Sequence, residues 1–206
     1  STDKASSPIN LYGASKLCSD KIFLSANNIK GSRTTKFSIV RYGNVLGSRG
    51  SVVPIFVNLN KKNKKFNLTH KEMTRFNITL EEGVDFVNWC LKNNKGGEIF
   101  VPKLNSFKVI DLAKAINQNA KFQNIGLRPG EKIHEELISE SDSLNTLEGK
   151  SHFVILNYHT KNDIKNYKKK NKLKDLKSTL RYSSDLNKSF LSISSLRKIL
   201  KINKFI

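Results

Sequence analysis

What this sequence lacks narrows it before any motif is read. Its 206 residues contain no G-x-x-G-x-x-G turn. That turn joins a strand to a helix and holds a dinucleotide's pyrophosphate on backbone amides. No apolar run approaches the roughly 20 residues needed to span a bilayer, and no signal-peptide pattern is read at the start. The two cysteines, Cys18 and Cys90, are far apart, each in an apolar helical pattern. They read as buried thiols of a reducing compartment, the cytoplasm, and not as a disulfide or metal site. The four histidines, His70, His134, His152 and His159, show no ligand spacing. No internal repeat is visible.

Acidic residues are also few: 17 against 37 Lys and Arg, for a net charge of +20 and a pI of about 10.0. Such a balance raises nucleic acid as a partner. Here the excess is mostly lysine, spread among abundant asparagine and densest at Lys168-Lys169-Lys170. That pattern reads as genome base composition ahead of a binding patch. Arginine is scarce, and Arg41, Arg49, Arg75 and Arg128 sit inside the sequence blocks discussed below. Its planar fork suits phosphate and carboxylate.

What is present begins at the first residues. Leu11, Ala14, Leu17, Cys18, Ile22 and Phe23 recur at helical spacing, so a helix is expected from Asn10 to about Ile29, ending near Gly31. Tyr12 and Lys16 then lie a turn apart on one face. Many proteins carry such a pair by chance. An ammonium beside a phenol also favours the phenolate, which can take a proton from a hydroxyl and return it. Thr2-Asp3-Lys4 stands just before, a hydroxyl, a carboxylate and an amine in sequence. An exposed charged pair is the plain alternative for Asp3-Lys4.

Further along, Phe37 to Tyr42 reads as a buried strand, followed by a Gly- and Ser-rich loop from Gly43 to Gly50. In open α/β sheets, ligands bind beyond the carboxyl ends of strands. Without a further signal, a plain surface loop would be the default. A helix is expected from Val52 to about Asn60 with Pro54 in its first turn, then a short strand at Phe66 to Thr69. Thr79 and Glu82 have capping-box spacing before a helix that stops at Gly96-Gly97. Glu98 to Val101 reads as a core strand, Ile110 to about Asn119 as a short helix, and Ser192 to Leu200 as a last one. Beyond about residue 150 the pattern weakens. The alternation of strand and helix is α/β.

Taken in order, S-T-D-K-A-x-x-P-I-N-L-Y-G-A-S-K at 1–16 and R-Y-G-N-V-L-G-S-R-G-S-V-V-P at 41–54 resemble a known family. M-T-R-F at 73–76, G-G-E-I-F-V-P-K at 96–103, R-P-G-E-K at 128–132 and Y-S-S-D at 182–185 continue the match. The family is the extended short-chain dehydrogenase/reductases. Within it, the sequence is most similar to the soluble inverting UDP-N-acetylglucosamine 4,6-dehydratases that open pseudaminic acid synthesis.

The resemblance implies the C-terminal part of an NAD(P)-binding Rossmann-like fold with a small α/β substrate-binding domain. Residues 1–50 would be the remaining half of the dinucleotide-binding domain, carrying the active site. Residues 51–206 would be mainly substrate domain, with about 79–102 returning to the Rossmann sheet. Such a chain, taken alone, is expected to fold poorly and to be inactive. The implied cofactor is NADP, with NAD the other candidate. The implied partners are a UDP-sugar and further copies of the chain, hexamers among the relatives, with neither nucleic acid nor membrane. Tyr12 would assist deprotonation of the C4 hydroxyl, and Lys16 would hold the nicotinamide ribose. Thr2 would bind near O4, Asp3 would protonate the departing C6 hydroxyl, and Lys4 would be the base at C5. Lysine serves as a base only when desolvation or neighbouring cations lower its pKa. Val45, Leu46, Gly47, Ser48 and Arg49 would line the cofactor. Asn44, Val52, Thr69, Arg75, Arg128 and Glu131 would hold the UDP end.

Two departures stand out. Asn77 replaces an expected aromatic after M-T-R-F, and His70-Lys71 stands where Asp-Pro is usual. A retaining dehydratase or an epimerase on the same fold is the alternative, and a basic nucleic-acid-binding fragment a distant one.

Overall fold

The computed structural model describes residues 1–156 and 161–206, with the side chains of 161–163 outside that description. His159 lies outside the described residues. The chain forms two compact units, one from 1–42, 81–103 and 136–182, the other from 43–80, 104–135 and 183–206.

The first unit is built on a five-stranded sheet in the order 39–40, 98–102, 152–156, 146–148, 174–175. Glu98–Pro102 and His152–Leu156 are buried at every position, as expected of strands covered on both faces. Ile39–Val40 runs parallel to Glu98–Pro102, with Ile39 opposite Ile99. A parallel neighbour requires a crossover, and the helix Leu80–Asn93 lies on that connection. His152–Leu156 and Thr146–Glu148 add antiparallel strands. These lie where the sequence pattern was weakest. Phe100, Val154, Leu156 and Cys90 close the core around them. Burial, and then the charge of Glu98, push the Cys90 thiol up to about 12, so it is an inert packing group.

The helix Leu11–Ile29 begins where Asn10 caps it, its side chain accepting from the Gly13 N–H at 2.8 Å. Its buried residues are Gly13, Asp20 and Leu24. The apolar residues at helical spacing do not form the core face: Leu11, Ile22 and Phe23 are exposed, and so is Cys18. The expectation of two buried thiols is corrected to one. A periodic stripe shows that a face is apolar, not which side of the helix the rest of the chain covers.

Arg41 ties this unit together. It is 2% exposed. Its guanidinium donates to the Leu137 carbonyl at 3.1 Å, Asp142 at 3.0 Å and Asp20 at 3.3 Å. The strand end, the long helix and the 137–142 segment therefore share one buried charge.

The second unit pairs Thr74–Asn77 antiparallel with Asn105–Lys108, and Phe66–Leu68 parallel with Phe122–Asn124. Helices Val52–Lys61, Val109–Ile116 and Ile193–Ile202 pack around Phe56, Phe66, Met73, Leu112, Leu196 and Leu200. Phe56 and Phe66 meet edge to face at 5.1 Å, an arrangement worth about 1 kcal/mol beyond area burial. Arg197 donates to the carbonyls of Ala115 and Lys114, serving orphan acceptors at a helix C-terminus.

Two stability predictions follow from the first unit. Arg41→Leu strands the buried Asp20 carboxylate and should cost about 3 kcal/mol or more in urea denaturation. A loss under about 1 kcal/mol would show that these carboxylates do not need the guanidinium. Burial, and then Lys103, hold His152 below its ordinary value of 6.5. The unfolded chain then takes up that proton first as pH falls, so stability is whole above about pH 6.5 and declines below it. His152→Phe should flatten the slope of melting temperature against pH just below 6.5. An unchanged slope would assign it to other groups.

Candidate active site

Thr2, Asp3 and Lys4 are joined as one hydrogen-bonded turn. Thr2 forms a parallel bridge to Tyr42, and the Asp3 N–H donates to the Tyr42 carbonyl at 3.2 Å. Residues Asp3–Ala5 then wind into a 3-10 turn, with the Thr2 side chain accepting from the Lys4 N–H. The Thr2 hydroxyl donates to Asp3 Oδ1 at 2.8 Å, and the Lys4 ammonium reaches the same oxygen at 3.0 Å. Asp3 is fully buried, and its Oδ2 has no partner among the described residues. An unpartnered buried carboxylate oxygen is costly to keep. Just after, Ser6 and Ser7 donate to the Glu136 carboxylate, which Arg181 also holds at 2.8 Å. The turn is therefore pinned at both ends.

Gly13 brings the long helix onto this turn. A β-carbon at Gly13 would sit 2.6 Å from the Lys4 carbonyl oxygen, so only glycine permits the approach. Tyr12 is the preceding residue and is exposed. The Lys16 ammonium lies 5.3 Å from the centre of the Tyr12 ring, a cation–π distance. The residues expected to move protons thus form two contacts, Thr2-Asp3-Lys4 and Tyr12-Lys16, with Gly13 against Lys4 between them. An exposed ring hydroxyl and a half-buried ammonium on one helix suit ribose hydroxyls, so these donors fit the nicotinamide cofactor that the resemblance implies.

The second unit holds a cavity of about 240 Å³. All six residues expected at the UDP end line it: Asn44, Val52, Thr69, Arg75, Arg128 and Glu131. Of the expected cofactor loop, Val45, Leu46 and Gly47 also line it, while Ser48 and Arg49 are exposed and outside its lining. Two hydrogen bonds shape that loop, Leu46 N–H to the Ile78 carbonyl at 2.8 Å and Ser48 N–H to the Val45 carbonyl at 3.1 Å. Gly47 has φ 72°, and a β-carbon there would overlap the Phe205 ring.

The two arginines in this lining differ. Arg75 is spent on the protein, donating to the carbonyls of Thr74, Lys132 and Ile133 and lying 3.5 Å from Glu135. Arg128 is exposed at the start of a turn whose Gly130 has φ 73°, the type II pattern for Pro-Gly. Glu131 closes that turn by accepting from the Arg128 N–H at 3.2 Å. Ser51, which the sequence did not mark, precedes the helix Val52–Lys61 and makes no side-chain cap bond. The first amides of that helix are left without a side-chain cap at the cavity, a position that favours anions. Asn67 and Asn77 line the cavity as well. The only advance sign of Asn77 was its departure from the expected aromatic.

Among the described residues, no helix is long and apolar enough to cross a membrane.

Comparison with known proteins agrees with this architecture. A family model described as "Polysaccharide biosynthesis protein" matches residues 1–157. An inverting UDP-N-acetylglucosamine 4,6-dehydratase of Campylobacter jejuni is 52% identical over 156 residues, 75% of this chain and 47% of that protein. The chain therefore spans about half the length of the curated relatives it matches. The X-ray structure of Pen from Bacillus thuringiensis superimposes with a TM-score of 0.83 at 35% identity, over 98% of this chain and 60% of that one. A dTDP-glucose 4,6-dehydratase from Bacillus anthracis, solved in complex with NAD, gives a TM-score of 0.50 at 16% identity, over 60% of this chain and 42% of that one. That last likeness is one of fold alone. The fold is the Rossmann-like α/β fold of the extended short-chain dehydrogenase/reductases. By the match of its family model over most of its length, the chain belongs to the polysaccharide biosynthesis protein family.

Proposed function

We propose that this chain carries part of a UDP-N-acetylglucosamine 4,6-dehydratase that inverts C5, working with NADP. Its product would be a UDP-2-acetamido-2,6-dideoxy-4-keto-hexose, a precursor for pseudaminic acid and surface polysaccharide. The observation that carries this reading is the Thr2-Asp3-Lys4 turn lying against Gly13, next to Tyr12. The Campylobacter relative, by its name, supports the same reading.

The nicotinamide, when bound, accepts a hydride from the sugar and later returns it. The chain's own residues do the rest. Tyr12 takes the proton of the C4 hydroxyl, and Lys16 holds a ribose hydroxyl beside it. Thr2 orients the sugar at O4. The resulting ketone acidifies the C5 proton, which Lys4 removes. Asp3 protonates the hydroxyl leaving C6, so that water departs. The Lys4–Asp3 contact at 3.0 Å sets the acid and the base side by side. Lys4 acts as a base only once its own proton has moved on. Asn44, Arg128 and the amides at the start of the helix Val52–Lys61 take the diphosphate, and Val45 to Arg49 border the cofactor. In this reading residues 1–50 and about 79–102 belong to the dinucleotide-binding domain and most of 51–206 to the substrate domain. The protein works in the cytoplasm as a homo-oligomer.

The test is to incubate the full-length gene product with UDP-GlcNAc and NADP in deuterated water and follow the sugar by NMR. A 4-keto-6-deoxy product with inverted, deuterated C5 is expected. Retained C5 configuration, or simple C4 epimerisation, would replace this reading with the retaining or epimerase alternative. In the same assay Lys4→Ala should leave C4 oxidation intact and abolish C5 exchange. Undiminished exchange would remove Lys4 from the base role.

A further inference from the structure

Among residues without a role above, Asn77 is singular. It is 6% exposed, it lines the 240 Å³ cavity, and its Oδ1 has no hydrogen-bond partner among the described residues. Its position is fixed from two sides. Asn77 pairs with Asn105 in the antiparallel ladder. On the other side Val45 bridges Ile78, and the Leu46 N–H donates to the Ile78 carbonyl at 2.8 Å. That bridge sets the backbone of Asn77 beside that of Asn44, whose Oδ1 is also buried without a partner among the described residues. A buried amide oxygen without a donor is destabilising. An aromatic side chain here, as the sequence pattern leads one to expect, would bring no such acceptor.

We propose that Asn77 is a specificity-determining residue of this cavity, accepting a hydrogen bond from a hydroxyl or N–H of the bound nucleotide-sugar. The proposal rests on the nucleotide-sugar reading above. A carbonyl oxygen repels phosphate oxygens, and the phosphates have better partners in the same lining. These are Arg128 and the helix start at Val52, where Ser51 makes no cap bond. Asn77 is therefore left to read an uncharged, donor-bearing part: base, ribose or sugar ring. A site built to hydrogen-bond such a group rejects ligands that lack it, because the buried acceptor is then unpaired.

The experiment is calorimetric titration of the full-length gene product with UDP-GlcNAc and with UDP, for the unaltered protein, Asn77→Leu and Asn77→Ala. Thermal melts of each run alongside. Both variants should bind UDP-GlcNAc about three- to tenfold more weakly while melting near the unaltered protein. The loss with UDP shows whether the donor belongs to the nucleoside or to the sugar. Unchanged affinity in either folded variant overturns the proposal. If neither variant folds, Asn77 is a structural residue and the proposal falls. If the unaltered protein binds neither ligand, the nucleotide-sugar reading itself falls. That outcome is distinct from tight binding that survives in the variants.

Discussion

The structure around residues 1–42 depends on one buried guanidinium. Arg41 follows the short strand Ile39–Val40 and answers two carboxylates and a carbonyl from two other segments. Its neighbour Tyr42 carries the backbone bridge to Thr2 and accepts from the Asp3 N–H. Asp20 sits on the same helix as Tyr12 and Lys16. One charge thus sets the strand end, the Thr2-Asp3-Lys4 turn and the helix in a common frame. The arrangement is costly to desolvate, and Arg41 Nε remains without a partner among the described residues. Buried charges of this kind do little for net stability, yet losing one partner is severe.

Two further constraints act through shape. Gly13 lets the helix touch the Lys4 carbonyl, and Gly47 admits the Phe205 ring where any side chain would stand. Polar satisfaction works in the opposite sense. Much of the buried polarity is paired: Glu136 by Ser6, Ser7 and Arg181, and Glu98 by the amides of Lys95 and Gly96. Among the described residues, the oxygens left over include those of Asp3, Asn44, Ser51 and Asn77. These lie in the Thr2-Asp3-Lys4 turn or in the cavity lining, where a ligand's donors would satisfy them.

Much of the fold was legible in the residues. Asn10, Gly31 and the helical spacing between them bounded the first helix to within a residue, because capping chemistry is local. Glu98 to Val101 was read as a core strand because a covered strand is apolar throughout. The six residues expected at the UDP end were named together from motif blocks far apart in the chain, and one cavity gathers all six. The 152–156 strand was not legible, because its place beside 98–102 depends on a pairing made at long sequence distance. Cys18 was misplaced for a related reason: periodicity marks a stripe and is silent about what lies against it.

By itself the sequence determined the helix Leu11–Ile29 with its Asn10 cap, the helices at Val52–Lys61, Leu80–Asn93, Val109–Ile116 and Ile193–Ile202, the strand at Glu98–Pro102, and the chemical inventory of hydroxyl, carboxylate, amine and phenol. These follow from dihedral preference and from side-chain types within a few residues. Only the tertiary structure decided that Arg41 and Arg75 serve the protein, since both meet partners remote in sequence. It also decided that Asn77 lines a cavity and that its Oδ1 has no partner among the described residues. The physical reason is that burial and pairing belong to the assembled chain, where a group's neighbours are chosen by packing and not by adjacency.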